Sequence, residues 1–373
     1  MVNLTRQVEN VKEERKKILK MIEDGLISSQ EAEELLDSLE EAEQAGQNSN
    51  AVSTKVDWEQ GEKQKQYNTK EAKKSTIFGF VEEAFKKIKN VDLDFNFGTN
   101  YEVSHIFHHH HAAFHDIDID VANGNVTIQP WSETDVRVEC KAKVYQVDNQ
   151  EQAREKFHKE AAFLLEEERL QFYLHSQQVK VDVIVKVPEQ EYRKAIVKLF
   201  NGSFFGEKLT VDHFQAKSTN GSINLMDGNG KVMVAETANG SIKVRDCRWE
   251  VADMETINGK INVDGAFEKI DAQLVNGSIG VRWKEGFQPK SGFFKSTTGS
   301  VRLILPDQVR IDGKAETKIG NIHCDLNNYH ITEEKREVIN RSLHFEVNQE
   351  LDAEPFNVEA ETKTGSVWIL PTK

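Results

Sequence analysis

Cysteine is scarce in this chain. Among 373 residues there are three, Cys140, Cys247 and Cys324, and they lie far apart. That spacing excludes a disulfide framework and a paired-cysteine metal site. They read instead as small buried hydrophobes. Positive charge is also in deficit, with a net charge of −14 and a pI near 5.4. A general nucleic-acid binder needs a basic surface, so that class is set aside. No stretch approaches the eighteen or so consecutive apolar residues of a transmembrane helix. The N-terminal segment MVNLTRQVENVKEERKK has no apolar core of the kind a signal peptide needs. The expectation is therefore a cytoplasmic protein. Catalytic signatures are missing as well: the chain has no GxSxG elbow, no HExxH and no P-loop.

What the chain does have is a beat. Asn-Gly pairs stand at Asn201-Gly202, Asn220-Gly221, Asn239-Gly240 and Asn258-Gly259, nineteen residues apart, and at Asn276-Gly277 after eighteen. Glycine keeps the beat at Gly299, Gly320 and Gly365, and an early copy sits at Asn123-Gly124. A fixed period near twenty residues signals a repeat architecture. Two residues after each glycine stand Ile223, Ile242, Ile261, Ile279, Val301, Ile322 and Val367. Two further on the column reads Leu225, Val244, Val263, Val281, Leu303, Cys324 and Ile369. The residues between, such as Asn224, Lys243 and Arg302, are mostly polar, which is the alternation of a strand with one buried face. Before each turn a mostly small column runs Ala216, Ala235, Met254, Ala272, and two residues later Ser218, Thr237, Thr256, Leu274.

Two architectures carry this pattern. Asn-Gly between alternating strands signals a hairpin, and a series of hairpins makes an antiparallel meander. Alternatively each unit is one coil of a β-solenoid, stacked about 4.8 Å from the next. Ladders of like residues favour the solenoid. In either case the Asn-Gly pairs read as turns, with glycine supplying positive φ.

The whole chain divides accordingly. Residues 1–42 read as a helical hairpin module, with Ser28 and Glu31 forming a capping box. Residues 43–75 have the composition of a flexible linker. Residues 76–90 read as an amphipathic helix with Phe78, Val81, Phe85 and Ile88 on one face. Around it Lys73, Lys74, Lys86, Lys87 and Lys89 outnumber Glu82 and Glu83 by three. Two readings of that helix stay open: a cap over the edge of the β domain, or a contact with an anionic membrane or a partner. Residues 91–373 form the mainly β domain, with insertions near 150–168 and 326–350. In the first, Ala153, Phe157, Ala161, Leu164 and Leu165 lie at helical spacing; the second reads as partly helical.

The densest chemical cluster is histidine: His105, His108, His109, His110, His111 and His115. A histidine tract can hold zinc, nickel or copper. Yet neighbouring side chains in a strand point to opposite faces. The reading taken is a solvated segment with adventitious metal affinity. His108, His109, His110 and His111 remain the candidates, and no metal, cofactor or catalytic residue is assigned. The repeated acids Asp212, Asp227, Asp246, Asp264 and Asp271 fit turn chemistry.

One resemblance bears on the whole chain. The segment Glu13-Glu14-Arg15-Lys16-Lys17-Ile18-Leu19-Lys20-Met21-Ile22-Glu23-Asp24-Gly25 resembles the helical module of proteins of the YvlB and LiaX type. The phrase Lys89-Asn90-Val91-Asp92-Leu93-Asp94-Phe95-Asn96-Phe97-Gly98 and the Asn-Gly-Ser-Ile units are similar to that family's junction and its adhesin-type β domain of unknown function. The resemblance implies a β-solenoid without catalytic residues, tied to the cell-envelope stress response of Gram-positive bacteria. It implies a non-enzymatic scaffold that engages a protein partner or the inner membrane face, with oligomerisation open. The alternative is a carbohydrate-binding or carbohydrate-active β-helix.

Overall fold

The computed structural model describes residues 98–284, 287–337 and 339–372. The expected helical hairpin, linker and amphipathic helix, with Phe78, Val81, Phe85 and Ile88, lie outside these residues, as does the alternating segment 91–97. The first strands are β1 (Asn100–His109), β2 (Asp116–Asn123), β3 (Val126–Trp131) and β4 (Val136–Tyr145), followed by helix α1 (Gln150–Glu160). Next come β5 (Ala161–Glu166), β6 (Arg169–Leu174) and β7 (Val179–Pro188). The regular coils hold β8 (Glu191–Asn201), β9 (Phe204–Glu207), β10 (Thr210–Asn220), β11 (Ile223–Met226) and β12 (Asn229–Asn239). They continue with β13 (Ile242–Asn258), β14 (Ile261–Asn276), β15 (Ile279–Trp283), β16 (Ser291–Thr298) and β17 (Val301–Leu305). The remaining strands are β18 (Ile311–Ile319), β19 (Ile322–Cys324), β20 (Tyr329–Arg336), β21 (Arg341–Val347), β22 (Phe356–Thr364) and β23 (Val367–Pro371).

Strand pairing decides between meander and solenoid. Equivalent residues of successive units pair in parallel: Thr210 with Asn229, Asn220 with Asn239, Ile223 with Ile242. A meander would make such neighbours antiparallel. The domain is a β-solenoid. Its long strands form one ladder in the order β6-β2-β8-β10-β12-β13-β14-β16-β22-β18. Its short strands form a second, β7-β3-β9-β11-β13-β14-β15-β17-β23-β19, and β13 and β14 run through both.

Spatial order departs from chain order at both ends. The coil of β2 and β3 lies between β6 and β8 and between β7 and β9. The coil of β22 and β23 lies between β16–β17 and β18–β19. Antiparallel strands then extend both ends of the long-strand stack and the β7 end of the short-strand stack. β4 pairs with β7 and β1 with β4, β5 pairs with β6, β21 pairs with β18, and β20 with β21. An open parallel edge would invite pairing with another chain, and these strands occupy it.

The inward columns are the core. Ile223, Ile242, Ile261, Ile279, Val301 and Val367 are buried, as are Leu225, Val244, Val263, Val281, Leu303 and Ile369. The small column is buried too, and its hydroxyl neighbours have a structural use. Ser218, Thr237 and Thr256 each donate to the carbonyl of the turn glycine one coil back, Gly202, Gly221 and Gly240, at 2.9, 2.8 and 3.0 Å. A buried hydroxyl needs such a partner.

At the corner, asparagines stack. Asn276 donates to Asn258, Asn258 to Asn239, Asn239 to Asn220, Asn220 to Asn201, and Asn201 to Asn123, each side-chain amide at 2.8–3.0 Å. The glycines beside them stack as well. At Gly277 φ is +140°, and an added Cβ would stand 1.6 Å from the Gly259 carbonyl oxygen. Gly240 and Gly259 lie outside the positive-φ range, yet a Cβ there would meet the preceding coil's carbonyl at 2.0 and 1.9 Å. Positive φ therefore explains only part of the glycine column. Close approach of one coil to the next explains the rest.

Two expectations are corrected. The helix within 150–168 stops at Glu160. Asn149 caps its start, accepting from the Glu151 and Gln152 amides at 3.1 and 3.0 Å, and Ala153 and Phe157 are its buried face. From Ala161 the chain is strand, paired antiparallel with β6. Glu167 and Glu168 make the connecting turn at φ of 50° and 59°, a tight hairpin turn built without glycine or asparagine. Pairing with β6 overrides the helical spacing of Leu164 and Leu165. Likewise the described residues of 326–350 form no helix: they carry the β20–β21 hairpin.

Candidate functional site

The histidine tract straddles the end of β1. His108 and His109 close the strand, and His110 and His111 turn the chain, with His111 at φ 50°. Antiparallel pairing sets His109 opposite Val136 at the start of β4. Asp135 therefore lies beside the turn. His108 Nε2 and His110 Nδ1 both reach its Oδ2, at 3.0 and 2.9 Å. The His111 amide donates to its Oδ1 at 3.0 Å. Held first by that amide and then by His110 and His108, the Asp135 carboxyl stays low, at about 2.

The tract thus splits. His109 Nδ1 sits 3.0 Å from the His110 carbonyl, and His111 Nδ1 lies 3.3 Å from the Thr134 hydroxyl. Neither imidazole joins the Asp135 cluster. His105 packs edge-on against Phe107 and His158, at centroid distances of 4.4 and 4.5 Å, and burial lowers its pKa. His115 lies near Glu168, at 3.5 Å. Asp135 was invisible to sequence reasoning, because only the pairing of β1 with β4 brings it to the histidines.

The coils also sort charge by face. Outward from the long strands point Glu236, Asp253, Glu255 and Asp271, with Lys217 against Glu236 at 2.9 Å. Glu255 is 9% exposed. Its pKa is raised to about 7, chiefly by burial and then by Asp253, Glu236 and Asp271. A raised folded pKa means that protonation favours the fold. This contribution is complete below the usual 4.5 and is lost as pH rises through about 7. Glu255→Gln is therefore expected to stabilise the protein at pH 8 by about 1–2 kcal/mol, after discounting for partial solvent access. Thermal melts at pH 8 and pH 4.5 check this: an equal gain at both would contradict it.

Outward from the short strands the sign reverses. One shallow groove is lined by Lys243, Arg245, Asn262, Asp264, Arg282 and Arg302. Asp264 is engaged by Lys284 at 2.8 Å, and Lys284 also holds Asp246. Lys243, Arg245 and Arg282 make no ion pair among the described residues. Sequence reading had treated Lys243 and Arg302 only as the polar half of an alternation. The repeated Asn-Gly pairs are placed in the corner ladder and are architectural. Asp227 and Asp246 adopt φ of 52° and 55°, consistent with turn chemistry. Cys140 and Cys247 are buried, and burial pushes their thiols up to about 12 and about 11.

A β-solenoid with an asparagine-glycine corner defines a structural class. Residues 114–351 match the toastrack DUF4097 family, and residues 13–44 match a SHOCT-like domain. The chain belongs to the toastrack DUF4097 family. It is 36% identical over 362 residues to the uncharacterized protein YvlB of Bacillus subtilis strain 168, covering 96% of this chain and 99% of that one. Among solved structures, a candidate adhesin from Parabacteroides distasonis aligns with a TM-score of 0.37 at 10% identity, over 73% of this chain and 98% of that chain. A candidate lipid-binding protein from the same organism aligns with a TM-score of 0.38 at 10% identity, over 72% and 97%. No helix among the described residues is long and apolar enough to cross a membrane.

Proposed function

We propose that this protein is a non-enzymatic scaffold of the bacterial cell-envelope stress response, acting on the cytoplasmic side. Its short-strand face binds an anionic surface, either an acidic partner protein or the inner leaflet of the membrane. The observation that carries this reading is the groove of Lys243, Arg245, Arg282 and Arg302 on a chain of net charge −14. Four cations held on a rigid ladder around one carboxylate, Asp264, itself engaged by Lys284, favour association with an anionic partner. The inward repeat residues are consumed by packing, so only the outward positions are free to vary for recognition.

The alternative, a carbohydrate-binding β-helix, usually rests on an open aromatic platform. On this face Phe205 stands two coils from Lys243, and Trp368 has its neighbours on both sides packed against its ring. His323 stacks at 3.9 Å, and the Arg302 guanidinium lies 5.3 Å from the ring centre. That arrangement favours the electrostatic reading.

The test is a triple charge reversal, Lys243→Glu, Arg245→Glu and Arg282→Glu. These side chains are outward, so the fold is expected to survive. Binding of the intact protein to anionic vesicles, and cross-linking to partners in cells under cell-wall stress, are the readouts. Loss of one or both by about tenfold or more is expected, since close charge pairs carry about 1.5 kcal/mol or more each. Unchanged vesicle binding and unchanged cross-links would sink the proposal.

A further inference from the structure

We infer that His108, His110 and Asp135 form a binding site for one divalent transition ion of the zinc type. His108 and His110 each offer an imidazole nitrogen and Asp135 a carboxylate oxygen, and these three ligand atoms all lie within 4.8 Å of one another. Both nitrogens already stand at 3.0 and 2.9 Å from the same Asp135 oxygen. In a tetrahedral zinc site with bonds of about 2.0–2.1 Å, ligand atoms stand roughly 3.3 Å apart. The two nitrogen–oxygen distances therefore need to lengthen by only a few tenths of an ångström to reach that spacing. Mixed imidazole and carboxylate ligands suit zinc and its neighbours better than calcium or magnesium, which take oxygen alone.

The site is braced rather than loose. The His111 amide fixes the other Asp135 oxygen at 3.0 Å, leaving Oδ2 aimed at the histidines. Trp131 Nε1 donates to the Asp135 carbonyl at 2.8 Å, and the Ala112 amide donates to the Thr134 carbonyl at 3.1 Å. These contacts tie the turn at 110–112 to the turn at 132–135. Such outer bonds orient ligands in metal sites. Three protein ligands leave a fourth position for water or for a side chain of another molecule. The ion would pin together two turns that only hydrogen bonds now join.

The competing account is a histidine tract of indiscriminate affinity, and it makes a different prediction. A tract would use His109 and His111 as readily as His108 and His110. The experiment is calorimetric titration of zinc into the full chain, purified without a polyhistidine tag and stripped with chelator. One ion per chain is expected. His108→Ala, His110→Ala and Asp135→Asn should each weaken binding by about tenfold or more. His109→Ala and His111→Ala should change it less than about threefold. Cobalt in place of zinc should give the intense visible absorption of a low-coordinate site in the wild type and lose it in His110→Ala. All five positions are solvent-accessible or at turns, so a melt of each stripped variant checks that it remains folded. Equal losses from His109→Ala and His110→Ala, or no zinc binding by the wild type, overturn the inference.

Discussion

Gly277→Ala is expected to destabilise this protein by more than about 3 kcal/mol, the range in which clash and backbone strain combine. The glycine has φ +140°, where L residues with a side chain are strained. A Cβ would also lie 1.6 Å from the Gly259 carbonyl oxygen, a backbone atom that cannot move alone. Moving it would disturb the hydrogen bond from the Gly259 amide to the Asn276 carbonyl, 3.0 Å, and the stacked corner with it. Gly98 is the control, because nothing lies within 4 Å of a Cβ added there. Gly98→Ala should stay within about 0.5 kcal/mol of wild type, as ordinary surface changes do. Urea unfolding of both variants checks the pair. A loss below about 1 kcal/mol at Gly277 would mean that the coils are not stacked glycine on carbonyl.

Trp283→Ala should cost about 3–5 kcal/mol, the usual range for removing a fully buried large aromatic. Trp283 is 1% exposed. Its ring meets Phe356 at 4.7 Å, Phe267 at 6.1 Å and Phe294 at 6.3 Å, each edge to face. Its Nε1 donates to the Phe267 carbonyl at 3.1 Å, so the indole's polar end is satisfied inside the core. These partners come from β14, β16 and β22, which makes Trp283 the bolt through three coils. Trp283→Phe keeps most of the ring but loses the donor, and should cost about 1–2 kcal/mol. Differential scanning calorimetry separates the two variants. A Trp283→Phe variant that melts with the wild type would remove the hydrogen bond from the account.

The repeat was legible because a solenoid writes each structural column into the sequence at a fixed interval. Ile223, Leu225, Ala216 and Ser218 and their successors are buried as their spacing requires, except Ile322 and Cys324 in the last short strand but one, which are half-buried. The seams of the domain were not legible. β5 pairs with β6 across a turn of Glu167 and Glu168, residues that carry no turn signal. The hairpin of β20 and β21 presents a charged run that reads equally well as helix. Asp135 meets His108 through a strand pairing between distant segments, and no local pattern records it. The charged faces were half legible: Lys243 and Arg302 were seen as outward, but their gathering with Arg245 and Arg282 needs the coil register. Glycine was read as a conformational requirement, whereas at Gly240 and Gly259 the constraint comes from the neighbouring coil.

The interleaving of coils bears on how the protein is made. β22 and β23 sit between strands synthesised well before them, pairing with Ser291–Leu305 on one side and Ile311–Cys324 on the other. The ribosome must deliver Phe356–Pro371 before those earlier coils can be joined. The coil of β2 and β3 waits in the same way for Glu191–Asn201 and Phe204–Glu207. The stack therefore cannot be laid down in order of translation, one turn at a time. A chain cut before Phe356 would keep most of its core and still present two bare, parallel edges facing a missing coil. Such edges are what proteases and aggregating strands recognise. The position of one coil thus makes completeness of the polypeptide a condition for closing the fold.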